Sequence, residues 1–107
     1  MELNLQLEIK QEDLTRFIFV KGEVDAFTAP QLKDQLVPLA EETGSHLVID
    51  LAEVSYIDST GLGVFIGILK TTRKHKGSLQ LVGLNDRIKR LFTITGLHEI
   101  IDISGGE

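Results

Sequence analysis

An apolar run ends at Ile57, and Asp58-Ser59-Thr60 follow it before Gly61-Leu62-Gly63. A carboxylate and two hydroxyls at such a junction can do three kinds of chemistry. They can cap a helix, because an Asp, Ser or Thr oxygen accepts from a backbone N–H that the first turn leaves free. One hydroxyl can carry a phosphate, because the same free N–H groups and the positive end of the helix dipole accommodate an anion there. A serine can also act as a nucleophile, but a nucleophile elbow needs Gly-x-Ser-x-Gly. Ile57-Asp58 precede Ser59 in this chain, so the first glycine of that pattern is missing. Capping and phosphate acceptance remain, and residue types alone do not separate them.

No other group of side chains competes strongly. His46 opens a strand-like run, His75 ends a helical pattern inside the basic cluster Arg73-Lys74-His75-Lys76, and His98 follows a helix stop. None has the spacing of a triad or a metal site, and each is expected at the surface. The basic cluster suits the negative end of a helix dipole better than a ligand site. Asp50 ends a strand, as a phospho-accepting aspartate would, but the chain opens with a hairpin rather than the parallel unit such a domain needs. There is no Gly-x-Gly-x-x-Gly after that strand and no phosphate-binding loop of the Walker kind. No catalytic residue, metal ligand or cofactor is therefore expected.

With 107 residues, 42% hydrophobic and 25% charged, the chain fits one globular domain, residues 1–107, with a core that needs no staples. It has no cysteine, which rules out disulfides and thiolate sites and suits a reducing cytoplasm. A net charge of −5 argues against direct binding of nucleic acid or of an anionic membrane. The N-terminus is acidic and alternating, unlike a signal peptide. The longest apolar stretch, Gly61 to Leu69, falls far short of the ~20 residues that span a bilayer.

The elements that must position Asp58-Ser59-Thr60 follow from periodicity. Leu3, Leu5, Leu7 and Ile9 alternate with polar residues, which predicts a strand with one wet face. Gln11-Glu12-Asp13 is read as a turn, Phe17-Ile18-Phe19-Val20 as a second, antiparallel strand, and Gly22-Glu23-Val24-Asp25 as a loop. Thr28 and Gln31 form a capping box for a helix with Pro30 in its first turn. Leu32, Leu36, Leu39 and Ala40 mark its buried stripe, Pro38 should kink it or loosen its last turn, and Gly44 ends the segment. His46 to Leu51 is short and continuously apolar, as in a central parallel strand. A second helix is predicted from about Thr60 to Lys74, a strand at Ser78–Val82, and a third helix capped by Asn85 with Ile88, Leu91 and Phe92 inward. Gly96-Leu97 stops that helix. Ile100, Ile101 and Ile103 form a short strand or packed tail before a frayed end at Ser104-Gly-Gly-Glu107. The order ββαβαβα predicts an α/β domain whose sheet is mixed, mostly parallel after the initial hairpin.

The glycines of the second helix bear on the open alternative. Each glycine in a helix interior costs ~1 kcal/mol relative to alanine. On a helical wheel Leu62, Phe65, Ile66 and Leu69 share one face, flanked by Val64 and Ile68. Gly63 and Gly67 fall opposite, with Thr60, Lys70 and Lys74. Core packing does not account for those two glycines, whereas a smooth exposed surface for another protein's backbone would. A rotated wheel, with the glycines against the sheet, is the competing account. Gly61 lies nearer the buried side.

Gly22-Glu23-Val24-Asp25, Thr28-Ala29-Pro30, Asp58-Ser59-Thr60-Gly61-Leu62-Gly63, Arg90-Leu91-Phe92 and Thr95-Gly96-Leu97 together resemble the STAS-domain anti-sigma factor antagonists of bacteria, in order and spacing over nearly the whole chain. Leu36-Val-Pro-Leu-Ala-Glu41 and Asp58 to Phe65 look most like the stress-response (sigma-B) branch. The resemblance implies partner switching. The unmodified antagonist binds an anti-sigma factor that is also a serine kinase using ATP and Mg²⁺, and so frees the sigma factor. Phosphorylation of Ser59 ends the binding, and a separate serine phosphatase restores it. Asp25, Asp58, Thr60, Gly61, Gly63 and Gly67 would then shape the docking surface, and the protein would work in the cytoplasm. Two rival classes stand beside this one: a small serine-dependent enzyme, and a STAS scaffold in a transporter or a stressosome-like assembly.

Overall fold

The first alternation folds into an antiparallel hairpin in the computed structural model, which describes residues 5–104. Strand β1 (Leu5–Glu12) pairs with β2 (Thr15–Val24) from Leu5↔Gly22 to Glu12↔Thr15. The turn is Asp13-Leu14, because Gln11 and Glu12 of the expected turn belong to β1, with Asp13 at φ 56°. Aspartate tolerates that conformation because its short polar side chain can bond locally. Gly22-Glu23-Val24 is strand rather than loop. Leu3 and residues 105–107 lie outside the described residues, and Ser104 ends a strand instead of a frayed tail.

The chain continues through α1 (Ala29–Ala40), β3 (His46–Ile57), α2 (Ser59–Lys74), β4 (Ser78–Val82), α3 (Asp86–Ile94), a 3₁₀ turn at Leu97–Glu99 and β5 (Asp102–Ser104). The strands lie side by side in sequence order, β1-β2-β3-β4-β5, and β2 to β5 are parallel. Parallel crossovers are right-handed, and all three step in the same direction, which places the three helices on one face of the sheet. Ile18, Ile49, Leu81 and Ile103 stand in register across four strands. Leu32, Leu36, Phe65, Ile68, Ile88 and Phe92 close over that face, and the Phe65 and Phe92 rings meet with centroids 6.4 Å apart. Each such side chain, fully buried, contributes about 1.5–3 kcal/mol. The opposite face leaves Phe19 exposed and Phe17, Val48 and Val82 half-buried.

Two local expectations need correction. Thr28 and Gln31 make no capping box: Thr28 Oγ1 donates to the Glu23 carbonyl at 2.7 Å, and Gln31 Nε2 donates to the Leu5 carbonyl at 3.3 Å. Pro38 needs none: it stands two residues before the last residue of α1, so its missing N–H falls in the final turn, the position that the second of its two expected outcomes requires. β3 is twice as long as expected. Its buried residues are Leu47, Ile49 and Leu51, then Val54 and Ile57, so the spacing changes from two to three. The register with β2 shifts between Phe19 and Lys21 and again between Gly22 and Glu23. Each shift leaves one extra residue in β3, a bulge that breaks the alternation while keeping the apolar residues inward. The bulged end of β3 delivers Asp58.

Candidate functional site

β2 and β3 end together, at the paired residues Val24 and Ile57. The next residues, Asp25 and Asp58, therefore leave the sheet side by side, and each leads toward a helix on the same face. The Asp58 N–H donates to the Val24 carbonyl at 3.1 Å, which ties the two strand ends. Asp58 takes the extended conformation of an N-cap, and its carboxylate accepts from the Gly61 N–H at 3.0 Å. Asp58 alone thus supplies the cap. Ser59 begins the helix, and Ser59 and Thr60 are both exposed. The two readings of the junction are compatible: the carboxylate caps, and the hydroxyls are left free for other use.

Asp25 builds the neighbouring loop. Its carboxylate accepts from the Phe27 N–H at 2.9 Å and the Thr28 N–H at 3.1 Å. The Asp25 N–H donates to Thr28 Oγ1 at 3.0 Å, and Thr28 is buried. Two aspartates thus hold two adjacent helix starts, each through backbone N–H groups that would otherwise lack partners.

The three glycines of α2 divide. Gly61 is buried, and a Cβ there would stand 2.7 Å from both Val24 Cγ1 and the Val24 carbonyl oxygen. It is a packing residue where the first turn of α2 meets the ends of β2 and β3, in keeping with its place nearer the buried side, and it is not part of the exposed surface of the helix. Gly63 and Gly67 are exposed, and a Cβ on either would meet nothing within 4 Å. The rotated-wheel account is excluded for them. The inward face is centred on Leu62, Phe65, Ile68, Leu69 and Thr72, so Ile66 is only half-buried. Gly63, Val64 and Gly67 form one wall of a groove of about 730 Å³, and Pro30, Lys33 and Val37 of α1 form the other. Thr60 stands at its end, beside Ser59.

His46 and His98 are exposed as expected, while His75 is half-buried at the end of α2. Arg73 is exposed, but its guanidinium donates to the Ile100 carbonyl at 2.9 Å and pins the last turn of α2 to the C-terminal segment. Sequence reasoning missed two parts of the site. The α1 wall was read only for its buried stripe; Pro30, Lys33 and Val37 share one side of the helix beside that stripe, and the fold turns this side toward α2. Phe27 was not singled out because it belongs to no periodic pattern, yet it is 90% exposed.

A STAS domain model matches residues 6–106, and the chain belongs to the STAS family. Within the family it groups with the anti-sigma factor antagonists. It is 51% identical to the anti-sigma-B factor antagonist of Listeria monocytogenes over 98% of this chain and 93% of that one. It is 50% identical to that of Bacillus subtilis over 95% of this chain and 93% of that one. The solved structure of an anti-sigma factor antagonist from Mycobacterium paratuberculosis superposes with a TM-score of 0.82 at 25% identity, covering 92% of this chain and 84% of that one. These relatives are regulatory proteins, which sets the chain among regulators rather than enzymes. No helix among the described residues is long and apolar enough to cross a membrane.

Proposed function

We propose that the unmodified chain, acting as a single domain in the cytoplasm, binds an anti-sigma factor that is also a serine kinase, and that phosphorylation of Ser59 ends the complex. The docking face is the pair of helix starts at Asp25 and Asp58 together with Thr60, Gly63 and Gly67 on the open side of α2. In the kinase reaction the Ser59 hydroxyl attacks the γ-phosphorus of ATP bound with Mg²⁺ to the partner. The bond to the bridging oxygen breaks, ADP leaves, and the hydroxyl proton passes to the partner. A serine phosphatase reverses the modification by hydrolysis. Nucleic acid is bound only indirectly, through the released sigma factor.

The observation that carries this reading is the exposed Ser59 hydroxyl next to a cap that Asp58 makes without it. A group placed there can be modified while the helix start stays intact. A phosphate adds about −1.5 to −2 charges beside Asp58. A thousandfold loss of affinity needs about 4 kcal/mol. Repulsion and desolvation of a phosphate at the centre of an interface are of that size. The test is Ser59→Ala against wild type with the purified kinase and ATP. The variant should fold, bind the kinase and take up no phosphate. Stoichiometric phosphate on the alanine variant, located on Thr60 by mass spectrometry, would overturn the assignment.

A further inference from the structure

We infer that Phe27 is the apolar anchor of the docking face, and that it inserts into a ring-sized hydrophobic pocket on the anti-sigma factor. The inference rests on the docking face proposed above. Phe27 is 90% exposed, whereas the next most exposed large apolar side chains among the described residues are Ile94 at 74% and Leu14 at 56%. A scattered surface apolar residue needs no explanation, but three observations set this one apart. First, its backbone is fixed: the Asp25 carboxylate accepts from the Phe27 and Thr28 N–H groups, and the buried Thr28 hydroxyl holds the loop to Glu23 and Asp25. The ring therefore projects from a rigid turn, and ordering it on binding loses little backbone entropy. Second, it lies on the loop that follows β2, whose last residue, Val24, pairs with Ile57 and accepts from the Asp58 N–H, so the loop leaves the sheet beside the Asp58-Ser59 junction. Any kinase that brings a γ-phosphate to Ser59 must cover this end of the domain. Third, Ala26 inside the loop and Ala29 and Pro30 just after it line the same groove as Gly63 and Gly67. The groove supplies a smooth track for a partner's backbone, and Phe27 supplies the side chain that fixes its position. Aromatic residues at the centre of an interface, ringed by near-neutral contacts, are where binding energy concentrates.

The partner chemistry follows from the site. The ring has no polar atom to satisfy, so its receptor is apolar. Its own N–H is held by the Asp25 carboxylate, and its loop leaves the sheet beside the Asp58 junction, so the rim of the receptor carries donors or positive charge. The binding experiment uses the full chain and the purified anti-sigma factor in titration calorimetry. Phe27→Ala should weaken binding at least about thirtyfold, equivalent to about 2 kcal/mol, while the melting temperature stays within about two degrees of wild type. Phe27→Tyr should recover most of the affinity and Phe27→Leu part of it. In the phosphorylation assay Phe27→Ala should raise KM for the antagonist and leave kcat unchanged, the pattern of lost ground-state binding.

Gly67→Arg and Ser59→Asp serve as controls. If both weaken binding tenfold or more but Phe27→Ala stays within threefold, the docking face stands and the anchor role of Phe27 is overturned. If none of the three variants weakens binding, the docking face itself is misplaced and the inference fails with it. Light scattering that shows a dimer of wild type lost in Phe27→Ala would assign the ring to self-association and would also overturn it.

Discussion

The glycines of α2 allow a stability measurement to separate packing from function. Gly67 lies in the interior of a 16-residue helix, and a methyl group on it would meet nothing within 4 Å. Gly67→Ala should therefore gain the helix propensity difference alone, about 0.5–1 kcal/mol. For a chain of 107 residues that raises the melting temperature by roughly 4 °C. Gly61→Ala should do the reverse. Its Cβ would lie 2.7 Å from Val24 Cγ1, 2.7 Å from the Val24 carbonyl oxygen and 3.0 Å from Ile57 Cγ2. The valine methyl can turn, but the Val24 oxygen also accepts from the Asp58 N–H at 3.1 Å and cannot retreat without opening the junction. Overpacking of this kind costs about 1–3 kcal/mol, against a propensity gain of at most about 1. The net expectation is a loss of about 1–2 kcal/mol. Urea unfolding followed by circular dichroism reads both values. A Gly67→Ala variant less stable than wild type, or a Gly61→Ala variant more stable, would refute the reasoning that divides the two positions. The expected result would mean that glycine at 67 is kept at the expense of stability, which requires a role outside the fold.

Further substitutions test other contacts. Gly67→Arg should weaken binding of the anti-sigma factor at least tenfold with little change in melting temperature; unchanged affinity in calorimetry would move the interface elsewhere. Asp58→Ala removes the cap of α2 and should destabilise the fold by about 1 kcal/mol in urea titrations. Glu42→Ala leaves the Arg16 guanidinium, 8% exposed, without its carboxylate partner. It should cost about 1–3 kcal/mol by the same measurement.

The helices were legible because their apolar spacing is strong and their punctuation is chemical. Asn85 illustrates it: the side chain accepts from the Ile88 N–H at 2.8 Å, as the sequence suggests. The limits of β2 and β3 were not legible. Alternation identifies a strand only while its register is regular, and β3 carries two irregularities against β2. Glu53 and Tyr56 then look like loop, although they are paired with Lys21 and Glu23. The error at Thr28 has a related cause. Asp25 and Thr28 are both good capping residues, and spacing to Gln31 favoured the threonine, but tertiary bonding to Glu23 claimed its hydroxyl. In the site itself Ser59, Gly63 and Gly67 could be read from one helix. The groove could not, because its second wall comes from α1, and no local pattern says which side of α1 meets α2.

The structure also bears on whether the switch works by local charge or by a change of shape. Ser59 is the first residue of α2, and the N–H groups of Ser59 and Thr60 lie in the first turn, where a helix offers them no partner. A phosphate on Ser59 finds those donors and the positive end of the dipole at hand. It also meets the Asp58 carboxylate, but that group is already held by the Gly61 N–H on the inner side of the turn. Nothing in this arrangement requires β3 or the core to move. The junction is further locked by the bond from Asp58 to Val24 and by the buried Gly61. The phosphorylated and unmodified proteins should therefore share one backbone, with amide shifts confined to Asp25, residues 56–63 and their immediate neighbours. NMR spectra of the two forms measure this directly. Shifts reaching Leu81 in β4 or Leu91 in α3, with altered hydrogen exchange in those elements, would show a global rearrangement. In that case the phosphate would act through the core, and repulsion at the docking face would not be the cause of release.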